Sequence, residues 1–172
     1  MTCASLLPST GGLPRVRRRP MPTIRRTLPA LLAALLAAGC GPKPGTVAVE
    51  QAWTRETAPG QSMAAVYFTI SNDGAEDRLL APTVVAPAGA RASLHTGSMA
   101  GGVMRMRPAA DGIAVPEGTT RLAPGGAHVM IEGLPGPLKA GGQLRLQLRF
   151  RVAGTRAVSV PVLPAGSAGP AA

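Results

Sequence analysis

From residue 47 onward the chain predicts an all-β domain, folded as an antiparallel sandwich or barrel. Three observations lead there. Gly and Pro supply 22 and 18 of the 172 residues, which favours turns and short strands. Apolar and polar residues alternate in short runs, each bounded by Gly or Pro. No amphipathic helical period falls between those runs. With aromatics at only 2%, the core has to be built from Val, Leu, Ile, Ala and Met.

The elements follow in order. VAVEQAW (47–53) alternates, and MAAVYFTIS (63–71) is β-branched and aromatic. The latter runs into Asn72-Asp73-Gly74, a hairpin-type turn signal. LLAPTVV (79–85) and RASLH (91–95) come next. In VMRMR (103–107), Val103, Arg105 and Arg107 face one way and Met104 and Met106 the other. IAV, TRL and AHVMIE are short strands. QLRLQLRFR (143–151) sets Leu144, Leu146, Leu148 and Phe150 inward and its arginines on a solvated face. RAVSVPVL (156–163) is last, and 164–172 is expected to be disordered. Trp53 and Tyr67 are expected in the core or at its rim.

The first 39 residues belong to none of this. TLPALLAALLAAG (27–39) follows Arg25-Arg26 and precedes Cys40. A basic start, an apolar stretch of about a dozen residues and a small-residue exit describe a secretory signal; a spanning helix needs ~20 apolar residues. Leu36-Ala37-Ala38-Gly39-Cys40 resembles the lipobox of bacterial lipoproteins, in which the cysteine is acylated and becomes the first mature residue; an ordinary signal peptide is the alternative. Gly41, not Asp, follows Cys40, so a two-membrane bacterium would send the protein to its outer membrane by default. Ile24-Arg25-Arg26-Thr27-Leu28 matches a twin-arginine signal poorly. A start at Met21 gives a signal of normal length, leaving 1–20 as an unused upstream extension. Residues 40–46 are then the lipidated cysteine and a short tether, and 47–163 the single folded domain.

Charge and cysteine usage exclude several functions. The formal net charge is +10, but six of the 18 basic residues precede Cys40 and all eight acids follow it. The chain from Cys40 on therefore carries twelve basic and eight acidic residues, a net +4, which removes the main support for nucleic-acid binding. With Cys3 removed and Cys40 lipidated, the mature domain has no thiol and no disulfide. Neither histidine sits in an evident Ser/His/Asp arrangement, there is no Gly-rich phosphate loop, and the acids are scattered. A binding protein is expected, not an enzyme.

What chemistry remains lies in His95, His128 and the methionines. The spacing is His95-x10-Met106-x21-His128-x-Met130. Residues i and i+2 of a strand share a face, so His128 projects with Met130 and Met104 with Met106. If the strands around 95, 103–107 and 127–132 are neighbours, two imidazoles and two thioethers can converge. Thioether sulfur is soft and uncharged, so this donor set suits Cu(I). Zinc would recruit Cys, His or carboxylate, and a blue-copper centre needs a thiolate. By spacing alone, packed methionines and structural histidines are the more usual reading.

The run LHTGSMAGGVMRMRPAADGIAVPEGTTRLAPGGAHVMIEGLPGPLKAGGQLRLQLRF resembles the PCuAC family of periplasmic copper chaperones, whose His-x10-Met-x21-His-x-Met motif falls on His95, Met106, His128 and Met130 without a gap. The resemblance extends over about 48–162. It implies a cupredoxin-like antiparallel β-sandwich of Greek-key type, binding one Cu(I) per monomer. It also implies delivery to the CuA site or another copper centre of a respiratory oxidase, with a thiol-disulfide assembly factor of the SCO type as co-worker. Many members carry a further Met or acidic residue just after the first motif histidine. Here Thr96-Gly97-Ser98 stands there, and Met99 is the candidate substitute. The tail lacks the His and Met of extended members, so a single Cu(I) site is expected. Met104 and Met63 are further auxiliary candidates, with packing as the expected role for Met104 and a place beside the ligands or at the entry as the alternative. A copper buffer or resistance lipoprotein that sequesters Cu(I) with the same residues is the alternative function.

Overall fold

The computed structural model describes residues 45–170. The proposed signal segment, Cys40, the tether up to residue 44 and the last two residues lie outside them. Among the described residues there is no helix. Ten strands follow one another: β1 (Val47–Arg55), β2 (Met63–Asn72), β3 (Asp77–Ala86), β4 (Arg91–Ala100), β5 (Val103–Pro108), β6 (Ile113–Val115), β7 (Gly118–Leu122), β8 (His128–Glu132), β9 (Gln143–Phe150) and β10 (Thr155–Leu163). They hydrogen-bond in the order β5-β4-β8-β2-β1-β10-β9-β3-β6, with β7 following β8 along the same edge of β2. All pairs are antiparallel except β1 with β10, where Thr54 lies beside Val162 and Arg55 beside Leu163 in parallel. That parallel seam joins the two halves of the fold, and it departs from the purely antiparallel expectation.

The core is aliphatic. Val66, Phe68 and Ile70 of β2, Val129 and Ile131 of β8, Leu94 of β4 and Leu144, Leu146, Leu148 and Phe150 of β9 form one cluster. In β9 every second residue is buried and the arginines between are exposed, as its alternation predicts. Methionine, expected in this core, is absent from the cluster.

Two local departures have physical causes. Along β1, Val49 lies opposite Ile70 but Trp53 lies opposite Tyr67, because one extra residue sits between Glu50 and Trp53. Gln51 takes φ 50° in this bulge. The extra residue reverses the alternation and turns Trp53 from the core side, where Val49 packs, to the outer face. There its ring stacks on Tyr67, with centroids 4.9 Å apart, beneath the Arg55 guanidinium. The segment after β10, expected to be disordered, is held against this cluster. Arg55 Nε donates to Ser167 O (2.8 Å), Ala165 N donates to Glu56 Oε1 (3.0 Å), and a Cβ on Gly169 would touch the indole at 3.7 Å.

The second departure is Asn72-Asp73-Gly74, which makes no hairpin. β2 pairs with β1, β7 and β8, and β3 with β6 and β9, so this turn is the corner where the chain passes between halves. Buried Asn72 organises it: its Nδ2 donates to Ala75 O and Val115 O (both 3.0 Å), and its Oδ1 accepts from Gly74 N. Thr46 N donates to Asp73 Oδ1, so the end of the tether is fastened to the same corner.

Asp77, at the start of β3, is buried and accepts from the backbone N–H of Arg78 (2.6 Å), Val152 (2.9 Å) and Ala153 (2.8 Å). Burial pushes its pKa up, but these backbone donors outweigh it, and the pKa lies below the ordinary 3.8. A depressed carboxylate stabilises the fold above its unfolded-state pKa, and that contribution is lost as pH falls through the folded value. Asp77→Asn is expected to cost about 2 kcal/mol at neutral pH, the usual worth of hydrogen bonds to a charged acceptor. The deficit should shrink below about pH 4, as the parent's own carboxylate protonates. Urea unfolding followed across pH 3 to 7 checks this.

Candidate metal centre

The register of β5, β4 and β8 assembles the predicted ligands. His95 lies directly opposite His128, and Ser93 opposite Met130. On the other side of β4, Gly97 lies opposite Met106 and Met99 opposite Met104. Directly paired residues point to the same side of a sheet, so His95, Met106, His128 and Met130 all project from one face. Leu94, Val129 and Ile131 between them point into the core. The strand containing Met106 is not beside β8 but one strand further out, with β4 between them. The auxiliary candidates share the face: Met99 and Met104 on the ribbon, and Met63 opposite Glu132 on β2. Met104 is 39% exposed, so its role is not core packing.

The two imidazoles face each other with centroids 5.7 Å apart and planes 27° from parallel. His128 is 2% exposed, and its Nδ1 lies 3.0 Å from Gly126 O. A carbonyl only accepts, so Nδ1 carries the proton and Nε2 presents a lone pair. That Nε2 is buried with no hydrogen-bond partner. An unsatisfied buried nitrogen costs ~1–3 kcal/mol, and a site that keeps one is prepared for a ligand. His95 is half-buried, and its Nε2 lies 3.1 Å from Ser93 Oγ. Tyr67 closes the other side of His128 at 6.3 Å. Burial raises the Tyr67 pKa, with the Arg55 charge opposing, so the phenol stays neutral.

Beside Met106, β4 presents Gly97, which has no side chain. Gly97 N donates to Gly126 O (3.1 Å), and a Cβ on Gly97 would lie 2.7 Å from Gly125 O. β4 and the turn before β8 thus approach closer than a Cβ at position 97 would allow, leaving space over Gly97 across which the flexible, 53% exposed Met106 can reach toward the imidazoles. Among the described residues no group of three or more His, Cys, Asp or Glu could hold a metal. The soft donors that this face does carry are thioethers, which are neutral. The residues that motif reading missed are Gly97, Gly126, Ser93 and Tyr67; the GGA before His128 was the one visible signal.

The family profile described as "Putative lipoprotein LpqE-like" matches residues 47–162, β1 to within one residue of the end of β10. The chain belongs to the LpqE-like family. A relative in Leifsonia xyli subsp. xyli, also described as a putative lipoprotein, is 35% identical over 117 residues, which is 67% of this chain and 69% of that protein. Among solved structures, the LpqE-like fold resembles the apo PCuAC domain from PmoF1, with 28% identity, a TM-score of 0.56, and 69% of this chain and 93% of that one covered. It also resembles CuI-DR1885 from Deinococcus radiodurans, with 26% identity, a TM-score of 0.52 and 76% and 85% coverage. A copper-bound PCuAC domain from PmoF2 shares the fold at TM-score 0.56, with 23% identity and 70% and 94% coverage. The LpqE-like chain thus has the cupredoxin-like all-β fold of PCuAC domains.

Proposed function

We propose that this protein is a Cu(I)-binding metallochaperone acting outside the cytoplasm, without catalysis of its own. His95, Met106, His128 and Met130 hold one Cu(I). The observation that carries this reading is the buried, partnerless Nε2 of His128, aimed from the face that also bears His95 and the two thioethers. Two imidazoles and two thioethers add no charge, so a softer, charged thiolate acceptor can draw the ion away. The likeness to CuI-DR1885 supports the choice of ion. The finer reading is delivery to the CuA or a related centre of a respiratory oxidase, alongside an SCO-type thiol-disulfide factor, from a lipid anchor on Cys40 in an outer membrane. The exposed Met106 favours handover over sequestration, because a partner can replace this ligand first.

Competition with a chromophoric Cu(I) chelator under reducing conditions should show one tightly held equivalent, and X-ray absorption of that form should show mixed sulfur and nitrogen scattering. Met106→Leu combined with His128→Ala should abolish the tight site, and retained affinity would refute the ligand assignment.

A further inference from the structure

All five methionines after Cys40 (Met63, Met99, Met104, Met106 and Met130) lie on the histidine face, and none lies in the core cluster. Three of them, Met63, Met99 and Met104, exceed what the four-ligand site uses, and the last two stand just beyond it on the ribbon. Met99 and Met104 are directly opposed on the β4–β5 ribbon, one pair outward from Gly97 and Met106. Their exposures are 65% and 39%, and Met106 is 53% exposed. Three large apolar side chains kept together in water are unfavourable, since burying each would be worth ~1.5–3 kcal/mol. The cluster therefore calls for a reason other than packing.

The geometry supplies one. Directly opposed Cβ atoms are ~4.5–5.5 Å apart and diagonal ones ~7–8 Å. Methionine has three rotatable side-chain bonds, so the sulfurs of Met99, Met104 and Met106 can meet at one point above the ribbon. No acid and no histidine shares this end of the face; Arg105 and Arg107 point from the opposite side, with Thr96 and Ser98. Met104 leans back toward the imidazoles, its methyl 3.5 Å from where a Gly125 Cβ would be. A neutral, all-sulfur donor set selects a soft monovalent ion over zinc or calcium.

We infer that Met99, Met104 and Met106 form a second, outer Cu(I) station of three thioethers, through which the ion enters and leaves the inner site. Met106 belongs to both stations, so the ion changes ligands one at a time and is never released to water between them. Lacking imidazole, the outer station holds Cu(I) more weakly than the inner one. This inference rests on the proposed function.

The test is an anaerobic Cu(I) titration of the full chain labelled at the methionine methyl carbons and the histidine rings, followed by NMR. With Met106 held by the inner ion, a second ion rests on Met99 and Met104 alone, so the first equivalent should move the His95, His128 and Met130 signals and the second, more weakly held, those of Met99 and Met104. Because both are exposed, Met99→Leu with Met104→Leu should fold normally and keep the first equivalent. It should lose the second and surrender Cu(I) to a chromophoric chelator at least ~10-fold more slowly, a barrier difference of about 1.4 kcal/mol. Histidine signals that move while Met99 and Met104 stay still, or a double variant that releases copper as fast as the parent, would overturn the outer station alone. Histidine signals that ignore the first equivalent would overturn the inner site and, with it, the route.

Discussion

His128→Leu is expected to leave the empty protein at least as stable as the parent while lowering its Cu(I) affinity by more than about 100-fold, the most that loss of an outer-shell partner alone costs. Both halves follow from the surroundings of one ring. The buried Nε2 has no partner, so removing it relieves a penalty of ~1–3 kcal/mol. The variant loses the Nδ1 hydrogen bond, but Gly126 O still accepts from Gly97 N and is not orphaned. Leucine is apolar and only slightly larger than histidine, a near volume-conserving change at a position that is 2% exposed. A histidine that merely completes the packing would behave in the opposite way, costing stability and leaving affinity unchanged. Thermal unfolding of the metal-free protein, set beside chelator competition, separates these outcomes.

Gly97→Val should harm both properties. Its Cβ would lie 2.7 Å from Gly125 O and 3.0 Å from Gly126 O, and both obstacles are backbone that cannot rotate away. β4 and the turn before β8 must part, and the Gly97 N to Gly126 O bond stretches with them. Overpacking of this kind costs about 3 kcal/mol. The branched side chain would also fill the floor between Met106 and the imidazoles, so Cu(I) affinity should fall at least ~10-fold beyond any effect of unfolding. Circular dichroism melts and the same competition assay measure the two losses. Parent-like affinity in a folded Gly97→Val protein would show that Met106 does not cross this gap.

Much of the architecture was readable from alternation. Leu144, Leu146, Leu148 and Phe150 of β9 reach the core where their spacing puts them, and the pairing of His128 with Met130 on one face needs only the two-residue repeat of a strand. What escaped depends on contacts between distant segments. No local pattern in RASLH announces that His95 stands opposite His128, because register is set by both strands together. Trp53 keeps perfect alternation with Val47 and Val49 in the sequence, yet the bulge at Gln51 sends it to the other side. Asn72-Asp73-Gly74 has hairpin chemistry, but the buried Asn72 amide is used to tie Val115 across a corner. Methionine usually packs in cores, yet all five among the described residues lie on the histidine face.

The aliphatic interior owes nothing to any of the four donor atoms, which all sit on the far side of their sheet. Unlike a zinc finger, whose chain comes apart without its metal, this scaffold is complete when unloaded. On the proposed reading, it gives up its passenger and accepts the next one on the same scaffold, with no refolding between trips.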